Sequence, residues 1–394
     1  MHKQPKPAAD ESTTEFAPDV TELLTQSVRR ALVFEDHTAG TEHLLFALVR
    51  GDTDAGAALA PGTTDAGGLS GLIVSRTDGG WAQPDDGDHA SADANAEDQD
   101  EILATWREAQ WQTARRYPRA QPQGEHRLPV PSGALSGCLT RALRLARQEE
   151  GTSSVRCRHV ARSLLSMTDS RAVEALLIRG VDLGRAAAAL RASAKAERTR
   201  TGPESAMVTL LRQAGQLGEP ANWWTRKVSA WVSKSSGDGT PVLLAICGEA
   251  KRQAVRCGRD VVEPVDLLLA VPGLDRSLTV AGLSFPAEPA ANSGAQLLYA
   301  CGVRPTALAA ATRTEVTVAA PVPRDVPFTA AAERTVARAR LAASKTGSGE
   351  VGTVHLLSAL LEDPEGPITR LLREQGTDLA VLHTRLSGAA GISL

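Results

Sequence analysis

The chain has 394 residues, with 43 Lys and Arg against 46 Asp and Glu and a formal net charge of -3, so no global basic field exists to hold a nucleic-acid backbone or an anionic membrane. Hydrophobic residues make up 42% of it but aromatics only 3%, and the apolar share is carried by Ala, Leu and Val, which suits close-packed helices and argues against an all-β fold. The length is that of two to three domains, each able to bury its own core.

Cys138, Cys157, Cys247, Cys257 and Cys301 are odd in number and scattered, with no Cys-x-x-Cys pair, and read as core thiols of a reducing compartment rather than disulfides or a zinc site. The polar, proline-bearing start MHKQPKPAADESTTEF has no apolar signal stretch, and no apolar run approaches the ~20 residues that span a bilayer. A soluble cytoplasmic protein is expected, with residues 1–13 disordered.

In chain order, the sequence repeats itself four times. The first copy, 14–75, opens at Phe16 and reaches Thr41-Glu42-His43-Leu44-Leu45 after 25 residues. Residues 76–101 then carry Asp85, Asp86, Asp88, Asp93, Glu97, Asp98, Asp100 and Glu101 among small residues, a composition that predicts a mobile acidic insert. The next stretch, 102–131, begins with ILATWREAQWQTARR, a helix with two tryptophans that packs on the first repeat pair. The second copy spans 132–193, where counting back 25 from Cys157-Arg158-His159 lands on Ser132, and AKAERTRTGP at 194–203 reads as a linker.

A helical lead-in, 204–238, carries Trp223, Trp224, Val228 and Trp231 beside Arg226, Lys227 and Lys234, a stripe expected to brace the third copy rather than lie on a membrane. That copy, 239–313, starts at Gly239, reaches Pro264-Val265-Asp266 and carries a proline-bearing insertion over 271–289. The fourth copy, 326–388, is the clearest. Ala332, Val336, Ala339 and Ala343 recur at helical spacing, Gly347-Ser348-Gly349 stops that helix, and Thr353 is expected to supply the N-cap hydroxyl of a helix bearing Leu356, Leu357, Leu360 and Leu361. Pro364 and Gly366 end it, a third helix over 368–375 closes at Gly376, and a fourth follows from Asp378. The fold class is all-α: two tandem domains, 14–193 and 204–390, each of two pseudo-repeats of about four helices.

These phrases resemble the N-terminal domain of Clp chaperone ATPases of the ClpC type, the Clp repeat domain. Gly40-Thr41-Glu42-His43-Leu44-Leu45 keeps the family's motif whole, Gly352-Thr353-Val354-His355-Leu356-Leu357 keeps all but the acid, and Pro327-Phe328-Thr329 is similar to the opening of the family's second repeat. The resemblance implies a helical domain that docks substrates or adaptors, duplicated here. The ATPase's phosphate loop has no counterpart: Lys345-Thr346 follows Ala343-Ser344 with no glycine loop, so neither nucleotide binding nor any other cofactor is expected.

The same resemblance implies that Glu42 helps receive phosphorylated arginine, its carboxylate on the guanidinium while the helix start, with Thr41, attracts the phosphate. Arg158, Val265 and Val354 replace that acid in the other copies. The plainer reading makes Glu42 a favourable first-turn acid. Phe16 and Phe328, with Thr329 beside the latter, either line the groove in which related domains hold peptides, adaptors or macrocyclic antibiotics, or plug the core. His43, His159 and His355 share one position and are expected to cap or pack rather than bind metal or act as bases. A nucleophile elbow, a His-Glu-x-x-His helix and a dinucleotide fingerprint are absent. The expected protein is non-enzymatic, an adaptor, decoy or sequestering protein that binds a peptide, adaptor, substrate or cyclic-peptide antibiotic of the Clp proteolytic system. The alternatives are an interaction module for an unrelated partner and a cryptic hydrolase.

Overall fold

The computed structural model describes residues 15–76, 79–85, 95–118, 128–149, 154–197, 202–217, 240–286, 290–314, 321–348 and 350–390. The tryptophan stripe expected at 223–231 lies outside them, as does 198–201 of the expected linker. The chain forms two compact units, Met1–Thr201 with Thr317–Arg324, and Gly202–Val316 with Asp325–Leu394.

In the first unit, copy one supplies β1 (Glu15–Phe16), α1 (Pro18–Val33), β2 (Thr38–Ala39), α2 (Thr41–Arg50), α3 (Asp54–Leu59) and α4 (Thr63–Ser75). Pro18 and Asp19 suit the first turn of α1, and Val20, Leu24, Val28 and Ala31 form the fully buried stripe that sets its orientation. After α5 (Ala96–Arg116), copy two supplies β3 (Val130–Pro131), α6 (Gly133–Arg147), β4 (Ser154–Val155), α7 (Cys157–Leu165), α8 (Arg171–Ile178) and α9 (Leu183–Glu197). Helix α9 therefore runs on into the segment read as a linker.

The only extended pieces among the described residues are two-residue strands, and they show how the copies pair. β1 pairs in parallel with β4, and β2 with β3. Each copy thus lends the residues before its first helix to the residues before the other copy's second helix. The same exchange recurs in the second unit, where Val262 bridges Phe328. The structure also corrects the register of copy two. First-helix caps stand at Ala17, Ser132, Thr240 and Thr329, and second-helix caps at Gly40, Arg156, Glu263 and Gly352. The interval is 23 residues in three copies and 24 in copy two, so Pro131, not Ser132, is the counterpart of Phe16.

The acidic insert is a second correction. Asn95 caps α5 by accepting from the Asp98 N–H at 2.8 Å, and of the acids read as a mobile run Glu97 and Asp98 occupy the first turn of that helix, where they favour its dipole, while residues 86–94 lie outside the described residues. Helix α5 packs on α1 and α6 and seals β1, and Trp106 is fully buried with its indole N–H on Pro129 O at 3.1 Å. Upstream, residues 79–85 end in a buried Asp85.

One device ties first helix to second in every copy. The third residue of each second helix turns back to accept the N-cap amide: His43 Nδ1 from Gly40 at 3.0 Å, His159 Nδ1 from Arg156 at 2.9 Å, His355 Nδ1 from Gly352 at 3.1 Å, and Asp266 Oδ2 from Glu263 at 2.9 Å. With Nδ1 accepting, each neutral ring carries its proton on Nε2, which faces Asp36 (3.1 Å), Glu149 (2.7 Å) or Thr346 (3.3 Å) near the end of the preceding helix.

This latch makes the first unit acid-sensitive. Burial holds the His159 imidazole down to about 4, against 6.5 for a free histidine. Burial raises Glu149, but hydrogen bonds from Arg158 and His159 overcome it and bring the carboxyl to about 2, against 4.5. Both groups bind protons more readily unfolded than folded, so their contribution is present above those free values and is lost as pH falls. The unfolding free energy of the first unit, read from urea titrations, should drop from about pH 6.5 towards 4, by on the order of 2 kcal/mol from His159, with Glu149 adding below 4.5. His159→Gln should flatten the upper part of that profile.

The second unit contains α10 (Ala206–Gln213), α11 (Pro241–Arg256), α12 (Pro264–Val280), a 3-10 turn (Ala290–Asn292), α13 (Gly294–Ala300), α14 (Pro305–Thr312), α15 (Ala330–Lys345), α16 (Thr353–Leu360), α17 (Pro367–Glu374) and α18 (Leu379–Ala390). Pro272 does not interrupt α12, which is continuous to Val280, so the expected insertion begins within a helix. Helix α15 buries Ala332, Ala339 and Ala343, small residues that admit α16 at close range. Gly376 has φ 77°, the left-handed cap its position after α17 called for. The N-cap of α16 is Gly352 rather than Thr353, whose hydroxyl instead accepts from the Gly294 N–H at 3.0 Å.

Candidate functional site

In the first unit, the N-terminus of α2 is where the sequence placed its acid. Thr41 and Glu42 open the helix, and Glu42 folds back so closely that a Cβ on Gly40 would lie 2.2 Å from its Oε2. Its side chain is 6% exposed, and Oε1 accepts from Arg171 Nη1 at 2.9 Å, so a guanidinium of the same chain occupies the carboxylate. Oε2 has no hydrogen-bond partner. Burial pushes the Glu42 carboxyl above its usual range, with His43 and Arg171 opposing and Asp85 adding to the rise.

Asp85 occupies the helix start itself. Its carboxylate accepts from the Thr41 N–H at 2.9 Å, the Thr41 hydroxyl, the Ser132 hydroxyl at 2.8 Å and the Arg171 N–H at 3.4 Å. The N-termini of α2, α6 and α8 meet around this carboxylate, where two amides, two hydroxyls and the positive dipole ends stabilise it. The chain leading to it is held too. Glu174 accepts from the Ala82 and Gln83 N–H groups at 3.0 and 3.1 Å, and Arg171 donates to the carbonyls of Gln83 and Pro84 at 3.2 Å each. Trp81, with Phe34, Asp36, Glu42, His43, Ile73 and Arg171, encloses a cavity of about 20 Å³, room for a water molecule.

The second unit repeats the plan without charge. Asn292 Oδ1 accepts from the Thr353 N–H at 3.4 Å, and a Cβ on Gly352 would lie 2.2 Å from Ala291 O. In both units an irregular segment between helices therefore lies over the start of a second helix.

The remaining sequence-nominated residues separate. Phe16 is 6% exposed beneath α5, its N–H on Glu101 at 3.2 Å, and offers no ring to a ligand. Phe328 is only half-buried, with Lys251 Nζ 5.9 Å from its ring centroid. Thr329 caps α15, accepting from the Ala332 N–H at 3.2 Å and donating to Val262 O at 3.0 Å. Arg158, at the Glu42 position of copy two, pairs with Glu149 at 2.8 Å. His43 serves the helix latch, and among the described residues no cluster of His, Cys, Asp and Glu could hold a metal ion. Arg171, Glu174, Asp85 and Trp81 were not singled out by sequence. The one signal available was Ser170, an N-cap residue immediately before Arg171, which marks a helix start but not what faces it.

The model of the family described as Clp repeat (R) N-terminal domain matches the chain twice, over residues 288–375 and 327–391. The C-terminal region, residues 288–391, is thus similar to that domain. No curated protein matches the chain. No helix among the described residues is long and apolar enough to cross a membrane.

Proposed function

We propose that this chain, whose C-terminal region is similar to a Clp repeat N-terminal domain, is a non-enzymatic binding protein of the Clp proteolytic system, acting as an adaptor, decoy or sequestering protein. Its ligand lies along the Phe328 edge of the second unit. The observation that carries this reading is the difference between the two nominated aromatics: α5 seals Phe16, whereas Phe328 is only half-buried at the junction of two copies, with the cationic Lys251 over its ring. A half-exposed aromatic on a rigid bridge to Val262 is a good anchor for an apolar peptide or macrocycle. The competing phosphoarginine reading of Glu42 is disfavoured, because Arg171 already supplies the guanidinium and Asp85 already supplies the anion.

Titration of the full chain with a Clp-targeting macrocyclic peptide and with a phosphoarginine peptide tests this. Phe328→Ala should weaken macrocycle binding by roughly 1 to 3 kcal/mol while Glu42→Ala leaves it unchanged. Tight phosphoarginine binding abolished by Glu42→Ala would replace this reading with the other.

A further inference from the structure

We infer that the groove formed in the first unit by the N-termini of α2, α6 and α8 is a receptor for an acidic, extended peptide segment, occupied in cis by Trp81–Asp85 and open to a trans segment of the same chemistry when that strap lifts. This goes beyond the Phe328 reading and is independent of it. The contacts are those of peptide recognition. Glu174 and Arg171 read the backbone of residues 82–84 through two amides and two carbonyls, which any extended segment provides. Sequence is read at the end, where a carboxylate enters four donors from Thr41, Ser132 and Arg171. An aromatic ring four residues earlier closes the cavity over Glu42.

Three observations mark the strap as a replaceable occupant. Of residues 81–85 only Asp85 is buried, while Ala82 and Pro84 are exposed, so little apolar surface holds the strap down and local opening is inexpensive. Asp85 sits at φ 55°, a left-handed conformation that an L-residue with a side chain adopts at a cost. Glu42, whose side chain is only 6% exposed and lines the cavity, has no hydrogen-bond partner at Oε2, so the cis segment leaves the site with an unsatisfied acceptor. A peptide free to choose its backbone around the carboxylate avoids the Asp85 strain.

The probe is a fluorescently labelled peptide with the sequence of residues 79–85, titrated against the full chain by anisotropy. Asp85→Ala, which removes the cis anchor and keeps every receptor donor, should bind the peptide roughly tenfold or more tightly than the unmodified chain. The peptide carrying Asp85→Asn should bind neither, and adding Arg171→Ala to the Asp85→Ala chain should abolish the gain. Hydrogen exchange on the unmodified chain covers the case in which Asp85→Ala does not fold: excess peptide should speed exchange at the Ala82 and Gln83 amides while Thr41 stays protected. A folded Asp85→Ala chain that binds no better than the unmodified one, or exchange at Ala82 and Gln83 unchanged by excess peptide, overturns the inference.

Discussion

Trp106→Ala should lower the stability of the first unit by about 3 to 5 kcal/mol, seen as an earlier urea transition of its helical signal. Trp106 is the largest fully buried side chain, and it joins Ile102 and Ala109 of α5 to the core built by α1, α2 and α6. Truncation leaves a cavity that a rigid helix pair cannot close, and it deletes the indole bond to Pro129 O. Thr113 on Thr25 O at 3.1 Å and Glu101 on the Phe16 amide fix α5 at its two ends, so the helix cannot slide to fill the gap. If residues 96–116 were a mobile insert, the same substitution would cost under about 0.5 kcal/mol, the level of ordinary surface changes.

Arg259→Ala should cost the second unit about 3 to 5 kcal/mol, because it strands a buried carboxylate. Copy three alone uses an acid where the others use histidine, and Asp266, fully buried, takes bonds from Arg259 Nε at 3.2 and 3.1 Å as well as the Glu263 amide. Burial works against both charges: it raises the Asp266 carboxyl although Arg259 opposes the rise, while the Asp266 hydrogen bonds hold the Arg259 guanidinium above its usual value. Arg259 also donates to Thr312 O, joining α14 to the latch. Arg259→Ala with Asp266→Asn should cost less than Arg259→Ala alone, since Asn still accepts from Glu263 and no charge is left unpaired. A double-mutant cycle in urea reads that difference directly.

The parts of the fold written in local spacing were legible. The starts of α2 and α16 to within a residue, the small-residue face of α15 and the turn at Gly376 all follow from neighbours within a few positions. The histidines were legible for the same reason, since each lies three residues past the amide it accepts. What composition hid was long-range partnership. Asp85 sits in an acidic stretch whose average predicts solvent, and it is buried because Thr41, Ser132 and Arg171, 44, 47 and 86 residues away, converge on it. Helix α5 was half-visible: Asn95 followed by Glu97 and Asp98 is a helix start, but among so many acids it reads as a charge run. The extra residue before Arg156 shifted the register of copy two by one, which the positions of the helix caps expose. Phe16 and Phe328 are indistinguishable by spacing, and a covering helix inserted between the copies of one unit decides which ring meets solvent.

The most direct measurement is quantitative affinity capture from lysate with the tagged full chain, run beside Phe328→Ala and read by mass spectrometry. Proteins of the Clp proteolytic system, recovered intact and depleted roughly fivefold or more by Phe328→Ala, are the predicted result. Partners unrelated to that system, or a set indifferent to Phe328→Ala, would contradict the account.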